Sequence, residues 1–574
     1  MQTRSSSNEP SSPNVNSAER EQPNVLALTT AIKKCVDFVN ELPWEIVKCH
    51  LIPRIFGEGR PIVRLDRPYP CLDVCSTWTK RIVSADDSIH FVLHVDHPLS
   101  KHHRMRLRMV APFIKSLALQ DLGVYNPELV KCGQFLSLTK LNIEVTRCHE
   151  ALLQLLEIAP NLTHLHMTFD DDTQASFAAF DVLDRCPQLI RLNLTLSPNT
   201  IIDMTSNSQR DRTYDNITHL QAVCQNEDRR DVFIPLIQHL PNLRLLYLLY
   251  PPSSTNMNTI HQHCPKIQQL FLSFTHVPYK IHGDIKQEEE DIPGLRLLSL
   301  HEGYYYNDYF PETMIQHSAT LESLELKDSL LLYIPHVETF LGRDDVEFKQ
   351  LKSLRFPDSS DPSFITFMEW VIEHAPNLES IDAIDLGAHT NVFNSTLRRR
   401  PLKRIGFRST LEPQQHVYQF LRHHVRLGDK SHLQAVKCIL HSISEHDSWI
   451  FLITELTQLK TLELRFKSND ALMGLDTFIH QVSEGCIGLE KVILKSTFFP
   501  SSSQWIHDLS KHRNLQEIII DTTHIPDHLM IALQAFSHLK LLHLKYDIKD
   551  WHSLTSLRHK VPSLVYSEKH YPIL

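Results

Sequence analysis

Glycine is scarce in this chain, at 14 of 574 residues, well under half the usual ~7%. A fold organised around glycine-rich phosphate loops is therefore not expected, and no Gly-x-x-x-x-Gly-Lys-[Ser/Thr] occurs. Gly-x-Ser-x-Gly and His-Glu-x-x-His are missing too, which removes the common signatures of acyl transfer and zinc hydrolysis. There is no Cys-x-x-Cys pair, so a zinc-clasped ring of the chain's own is excluded. Positive charge is not in excess: 58 Lys and Arg against 67 Asp and Glu give a net charge of −9, unlike a dedicated nucleic-acid binder. The strongest apolar runs, such as Leu243 to Tyr250, are far shorter than the ~18 residues of a membrane span. The first residues show no apolar leader core, and the 11 cysteines are odd in number and scattered. Together these predict reduced thiols and a cytoplasmic or nuclear setting. No catalytic residue, cofactor or metal site is expected. The 36 histidines are dispersed, and Cys71/Cys75 and His261-x-His263-Cys264 read as packing rather than ligands.

What the chain does have is a repeat. An aliphatic residue is followed by others at +3 and +5, as in Leu243-x-x-Leu246-x-Leu248, Leu295-x-x-Leu298-x-Leu300, Leu459-x-x-Leu462-x-Leu464 and Leu539-x-x-Leu542-x-Leu544. One match means little; the spacing carries the argument. Seventeen such units start at 114, 138, 162, 189, 217, 243, 267, 295, 321, 351, 378, 402, 433, 459, 489, 515 and 539, about 27 residues apart, with Leu564 as the start of a truncated further unit. Proline stands two residues before the first aliphatic at Pro160, Pro187, Pro241, Pro265, Pro293 and Pro376. There it ends a helix and is tolerated at a strand start. Helix-period stretches, such as Asp231–Leu240 and Phe367–His374, precede these junctions. Each unit is thus a strand, a turn and a helix.

This pattern resembles the leucine-rich repeat, and the unit length is similar to that of its ribonuclease-inhibitor-like subclass. The resemblance implies an α/β fold in which the units over 111–574 stack as one horseshoe solenoid. An Asn or Cys three residues after the third aliphatic is missing, so the family's asparagine ladder is not expected.

Ahead of the repeats, residues 1–34 read as a disordered tail, rich in Ser, Asn, Pro, Glu and Gln near its start. Residues 35–84 read as a helical module and 85–110 as a linker or cap with a strand-like Phe91-Val-Leu-His-Val95. Within the module, Leu42-Pro43-x-Glu45-Ile46 gives a proline and a carboxylate at a helix start, and Leu51 and Ile55 extend an apolar stripe at +4 from Val47. Val74-Cys75-x-x-Trp78 sits on a second helix. These two motifs resemble the F-box, interrupted here by an insert over 57–70. The resemblance implies that Leu42, Pro43, Glu45, Ile46, Leu51, Ile55, Val74, Cys75 and Trp78 form the module's core and its contact with a Skp-type adaptor. Through that adaptor the chain would join a cullin ubiquitin ligase, without enzymatic activity of its own. The alternative is a helical cap on a repeat scaffold or inhibitor that binds a protein without ubiquitin chemistry.

The target is expected on the sheet face opposite the helices, where strand alternation turns every second residue outward. That places Leu245, Tyr247, Leu249, Phe271 and Leu297 together beside the loop residues Tyr304, Tyr305 and Tyr306. This is either an apolar docking patch or a patch covered by the loop itself. Further along, the same face carries Arg404, Arg408, Lys437, Arg465, Lys491 and Lys495. These read either as a site for an acidic or phosphorylated protein segment or as ordinary scattered charge.

Overall fold

The computed structural model describes residues 42–52, 62–64, 76–85, 89–94, 101–120, 131, 133–145, 149–169, 176–203, 212–250, 252, 254–273, 294–301, 309–327, 337–356, 361–383, 398, 401–408, 415–441, 443, 448–467, 474–497, 502–536, 538–545, 557–561 and 564–567. Its dominant feature is a 20-stranded sheet in which each strand pairs in parallel with the next one along the chain. Seventeen of these strands begin two residues after the first aliphatic of a unit, from Ser116–Gln120 to Leu541–Lys545.

The register explains the L-x-x-L-x-L signature. Leu246, Leu270, Leu298, Leu324 and Leu354 align as fourth positions across five neighbouring strands, and each is 0–1% exposed. A fully buried Leu contributes about 1.5–3 kcal/mol, so each strand needs its neighbours to bury what it carries. The first aliphatic is placed by a tight turn in which its N–H donates to the carbonyl three residues back, as in Leu189 to Cys186, Leu243 to Leu240 and Leu489 to Cys486.

Helices cover one face. The helix Pro362–Glu373 shows why they form where they do. The Asp361 carboxylate accepts hydrogen bonds from the N–H groups of Ser363 and Phe364 at 2.9 and 3.1 Å, satisfying two of the free donors at a helix start. Pro362 follows at the first turn, where its missing N–H costs nothing. Phe364, Phe367, Met368 and Val371 then bury one face.

An asparagine column is present, in a different place from the family's. Asn161, Asn216, Asn242, Asn377 and Asn514 each stand one residue before a first aliphatic. Each donates its side-chain N–H to a carbonyl of the preceding unit (Leu136, Pro187, Asp215, Lys349 and Ile487) at 2.7–2.9 Å. The column ties adjacent units where no strand pairing reaches.

Two boundaries differ from the expectation. The sheet starts before residue 111: Phe91 and Leu93 of the strand His90–His94 align with Leu117 and Leu119, and Ile62–Arg64 pairs with His90–Val92. The insert over 57–70 therefore supplies the outermost strand, and the segment 85–110 contributes the strand expected around Phe91 together with the helix Lys101–Val110. At the other end, Leu564 aligns with Leu542. Leu564 is thus a fourth position, and the last unit begins at the fully buried Val561.

Candidate interaction surfaces

At the N-terminal end, helical turns run over Trp44–Ile46 and Val47–Leu51, the second wound more loosely than an α-helix. Looser winding changes which residues share a face. Val47 and Ile52, five apart, are the buried pair, while Leu51 is only half-buried, so the expected +4 stripe is corrected here. Leu42 and Trp78 pack against the main core, and Arg81 from the helix Ser76–Ala85 donates to the Leu42 carbonyl. Pro43 and Glu45 are exposed. Ile46, expected in the module's core or its adaptor contact, is 40% exposed, beside Trp44 at 43%. Ile55, Val74 and Cys75 lie outside the described residues.

On the open face of the sheet, register lines up one residue per strand into a central column. It runs Asn142, His166, Asn193, Gln221, Tyr247, Phe271, Ser299, Glu325, Arg355, Asp382, Gly406, Lys437, Glu463, Ile493, Ile519 and His543. Its chemistry changes in blocks, from amides and imidazole, to aromatics, to alternating charges, to isoleucine.

In the aromatic block, Leu245, Tyr247, Leu249 and Phe271 do point away from the main core. They form a separate cluster with Val223, edged by Tyr250 and Leu297. They are not a wet docking patch, however: all four are 0–3% exposed. Leaving that much apolar surface in water is unfavourable, and the structure resolves it by closing the cluster. Burial also pushes the Tyr247 hydroxyl above the usual tyrosine range. Tyr304, Tyr305 and Tyr306 lie outside the described residues.

The charged block is likewise not a free basic surface. Lys437 Nζ lies 2.5 Å from Asp382, which also faces Arg355 at 3.7 Å. Glu463 takes Arg404 at 3.1 Å and Lys495 at 2.8 Å, and Lys491 pairs with Glu517 at 2.7 Å. The half-buried Asp382 and the buried Glu463 thus act as hubs for cations one or two strands away. Lys437 reaches Asp382 across the intervening strand because the residue between them is Gly406; a Cβ there would sit 2.2 Å from Asp382 Oδ1. Of the six cations expected here, Arg465 is exposed, and the side chain of Arg408 is not among those described.

Five of the described cysteines, Cys186, Cys224, Cys264, Cys438 and Cys486, are buried, whereas Cys49 is exposed. Cys264 Sγ lies 3.4 and 3.3 Å from the Ile237 and Leu240 carbonyls, and Cys486 makes the same kind of contact to Ile453. Burial raises both thiols to about 12, far from a reactive thiolate. No group of three or more His, Cys, Asp or Glu is placed to hold a metal among the described residues. No described helix is long and apolar enough to cross a membrane.

The strand-per-unit sheet, the aliphatic columns and the helical backs define an α/β leucine-rich-repeat solenoid. No protein-family model matches the chain, and no curated protein matches it. Among solved structures it is similar to TLR13 in complex with a single-stranded RNA, at 13% identity and TM-score 0.37, over 88% of this chain and 80% of that one. It is similar to Toll in the Toll–Spatzle complex from Drosophila, at 11% identity and TM-score 0.30, over 83% of this chain and 58% of that one. It is also similar to the yeast Rad7–Elc1 complex, at 15% identity and TM-score 0.29, over 62% of this chain and 88% of that one. Small per-unit rotations accumulate along a solenoid, and scores this low carry no argument about function. The class rests on the chain's own register.

Proposed function

We propose that this chain is the substrate-recognition subunit of an SCF-type ubiquitin ligase. In this reading its N-terminal end holds a Skp-type adaptor, and through it a cullin, while the repeats hold a protein target. The observation that carries the reading is the pair Trp44 and Ile46. Two large apolar side chains within Leu42-Pro-Trp-Glu-Ile46 stand more than a third exposed, just ahead in the chain of the buried Val47 and Ile52. Aromatic and aliphatic residues of this kind anchor protein interfaces, and a partner would bury them. Ubiquitin transfer itself would belong to other subunits.

A second reading is favoured by the strand Ile62–Arg64, which ties the N-terminal segment into the sheet as a terminal cap would be. On that reading the chain is a repeat scaffold that binds protein without ubiquitin chemistry. Size-exclusion chromatography of the full chain with a purified Skp-type adaptor separates the two. The first reading requires co-elution with the wild type and its loss in Trp44→Asp/Ile46→Asp, with the melting temperature unchanged. Separate elution of a folded wild-type chain establishes the second. These exposed positions test docking without touching Leu42 and Trp78, whose replacement would also loosen the core.

A further inference from the structure

On the helix side of the sheet, a cleft of about 300 Å³ opens between Arg398 and the helix Gln415–Leu427. The helix buries Val417, Phe420, Leu421 and His424 and turns Gln415, Tyr418, Gln419, Arg422 and Arg426 toward the cleft, three or four residues apart. Arg398 donates to Gln419 Oε1 at 3.2 Å, which fixes its guanidinium at the rim, and its buried Nε has no hydrogen-bond partner. Arg422 lies over the Tyr418 ring at 5.7 Å.

No carboxylate lines the cleft among the described residues. Among the described residues Arg398, Arg422 and Arg426 form no ion pair there, in contrast to the open face, where Asp382 and Glu463 each hold two cations. Arg422 and Arg426 are also one turn apart, a spacing at which like charges repel. Burial, and then the charges of Arg398 and Arg426, push the His423 imidazole below its ordinary range. Three arginines thus face one cleft with no carboxylate among its described lining residues to balance them.

We propose that this cleft binds a clustered phosphate group, such as a diphosphate. Each planar guanidinium can present two parallel N–H donors to phosphate oxygens, and Gln415 and His423 supply further polar contacts. The volume is at the small end of ligand sites, which fits an anion of a few atoms better than a folded partner. A small phosphorylated molecule and a phosphorylated side chain would present the same chemistry.

The test is calorimetric titration of the full chain at low salt with pyrophosphate and, separately, with a phosphoserine peptide and its unphosphorylated form. Pyrophosphate is expected to bind one site per chain. Arg398→Gln and Arg426→Gln should each weaken it about tenfold or more, whereas Arg513→Gln, at an exposed position on another helix connection, should leave it unchanged. Melting temperatures should match across the set. A phosphopeptide that binds and is displaced by pyrophosphate assigns the source to a phosphorylated side chain, and pyrophosphate binding alone assigns it to a small molecule. No pyrophosphate binding to the wild type, or equal binding by Arg422→Gln/Arg426→Gln, overturns the proposal.

Discussion

Replacing Asp382 with Asn should destabilise the solenoid more than loss of any exposed charge. Lys437 and Asp382 are paired at 2.5 Å with side chains only 11% and 17% exposed. Burial already pulls the Lys437 ammonium below the usual lysine range, against the opposing pull of Asp382. Removing one partner of a buried pair costs about 3–5 kcal/mol, because the other charge is left uncompensated. Glu463 lies near enough to raise the Lys437 pKa as well, so the lower end, about 3 kcal/mol, is expected. Urea unfolding followed by tryptophan fluorescence measures it. Asp382→Asn/Lys437→Met should recover to within about 1 kcal/mol of wild type, since an apolar replacement for a buried pair is often neutral. Gly406→Ala should approach the Asp382→Asn deficit, because its Cβ would displace the carboxylate. A depressed lysine pKa in the folded state costs stability while both states are protonated, and the cost fades as pH rises toward the unfolded lysine value. The Asp382→Asn deficit should therefore shrink as pH rises toward the unfolded lysine value. A deficit below about 0.5 kcal/mol, or a double variant as unstable as the single, would refute the reasoning.

Asn377→Ala removes a 2.8 Å hydrogen bond to the Lys349 carbonyl and should cost about 1 kcal/mol, read from the same urea curves; Asn377→Asp should not restore it, since a carboxylate cannot donate. Burial holds His424 at about 4 against an ordinary 6.5. Stability should thus fall as pH drops from about 6.5 to 4, by about 3 kcal/mol for this residue, and a pH series on His424→Leu should show a flatter slope. Cys264 and Cys486, raised to about 12, should resist a thiol reagent in the native chain and react only after denaturation.

The period was the most legible feature, because a strand that must bury three residues against both neighbours forces the same spacing on every unit. The strand Ile62–Arg64 and the unit at Val561 escaped because they lack one or more of the three aliphatics and are recognised only through pairing. The asparagine column had a signal that spacing alone could have found: an Asn between the junction proline and the first aliphatic at Pro160-Asn161, Pro241-Asn242 and Pro376-Asn377. On the open face, alternation predicted which way Tyr247 and Phe271 turn. It could not predict that they are sealed, since burial depends on what lies over them. The cations were visible as a list, but their partners sit up to two strands away, 55 residues along the chain for Lys437 and Asp382. The window they reach through is a glycine, which a charge count does not register. At the N-terminus, the wider turn moved the buried pair from Val47 and Leu51 to Val47 and Ile52, a shift a 3.6-residue period does not anticipate.

The most direct test of the docking claim is hydrogen–deuterium exchange of the full chain with and without a Skp-type adaptor. Slower exchange confined to the turns around Trp44–Leu51 is predicted, with the open face around Tyr247 and Phe271 unchanged. Protection that appears on the repeats while Trp44–Leu51 exchanges as before would contradict it.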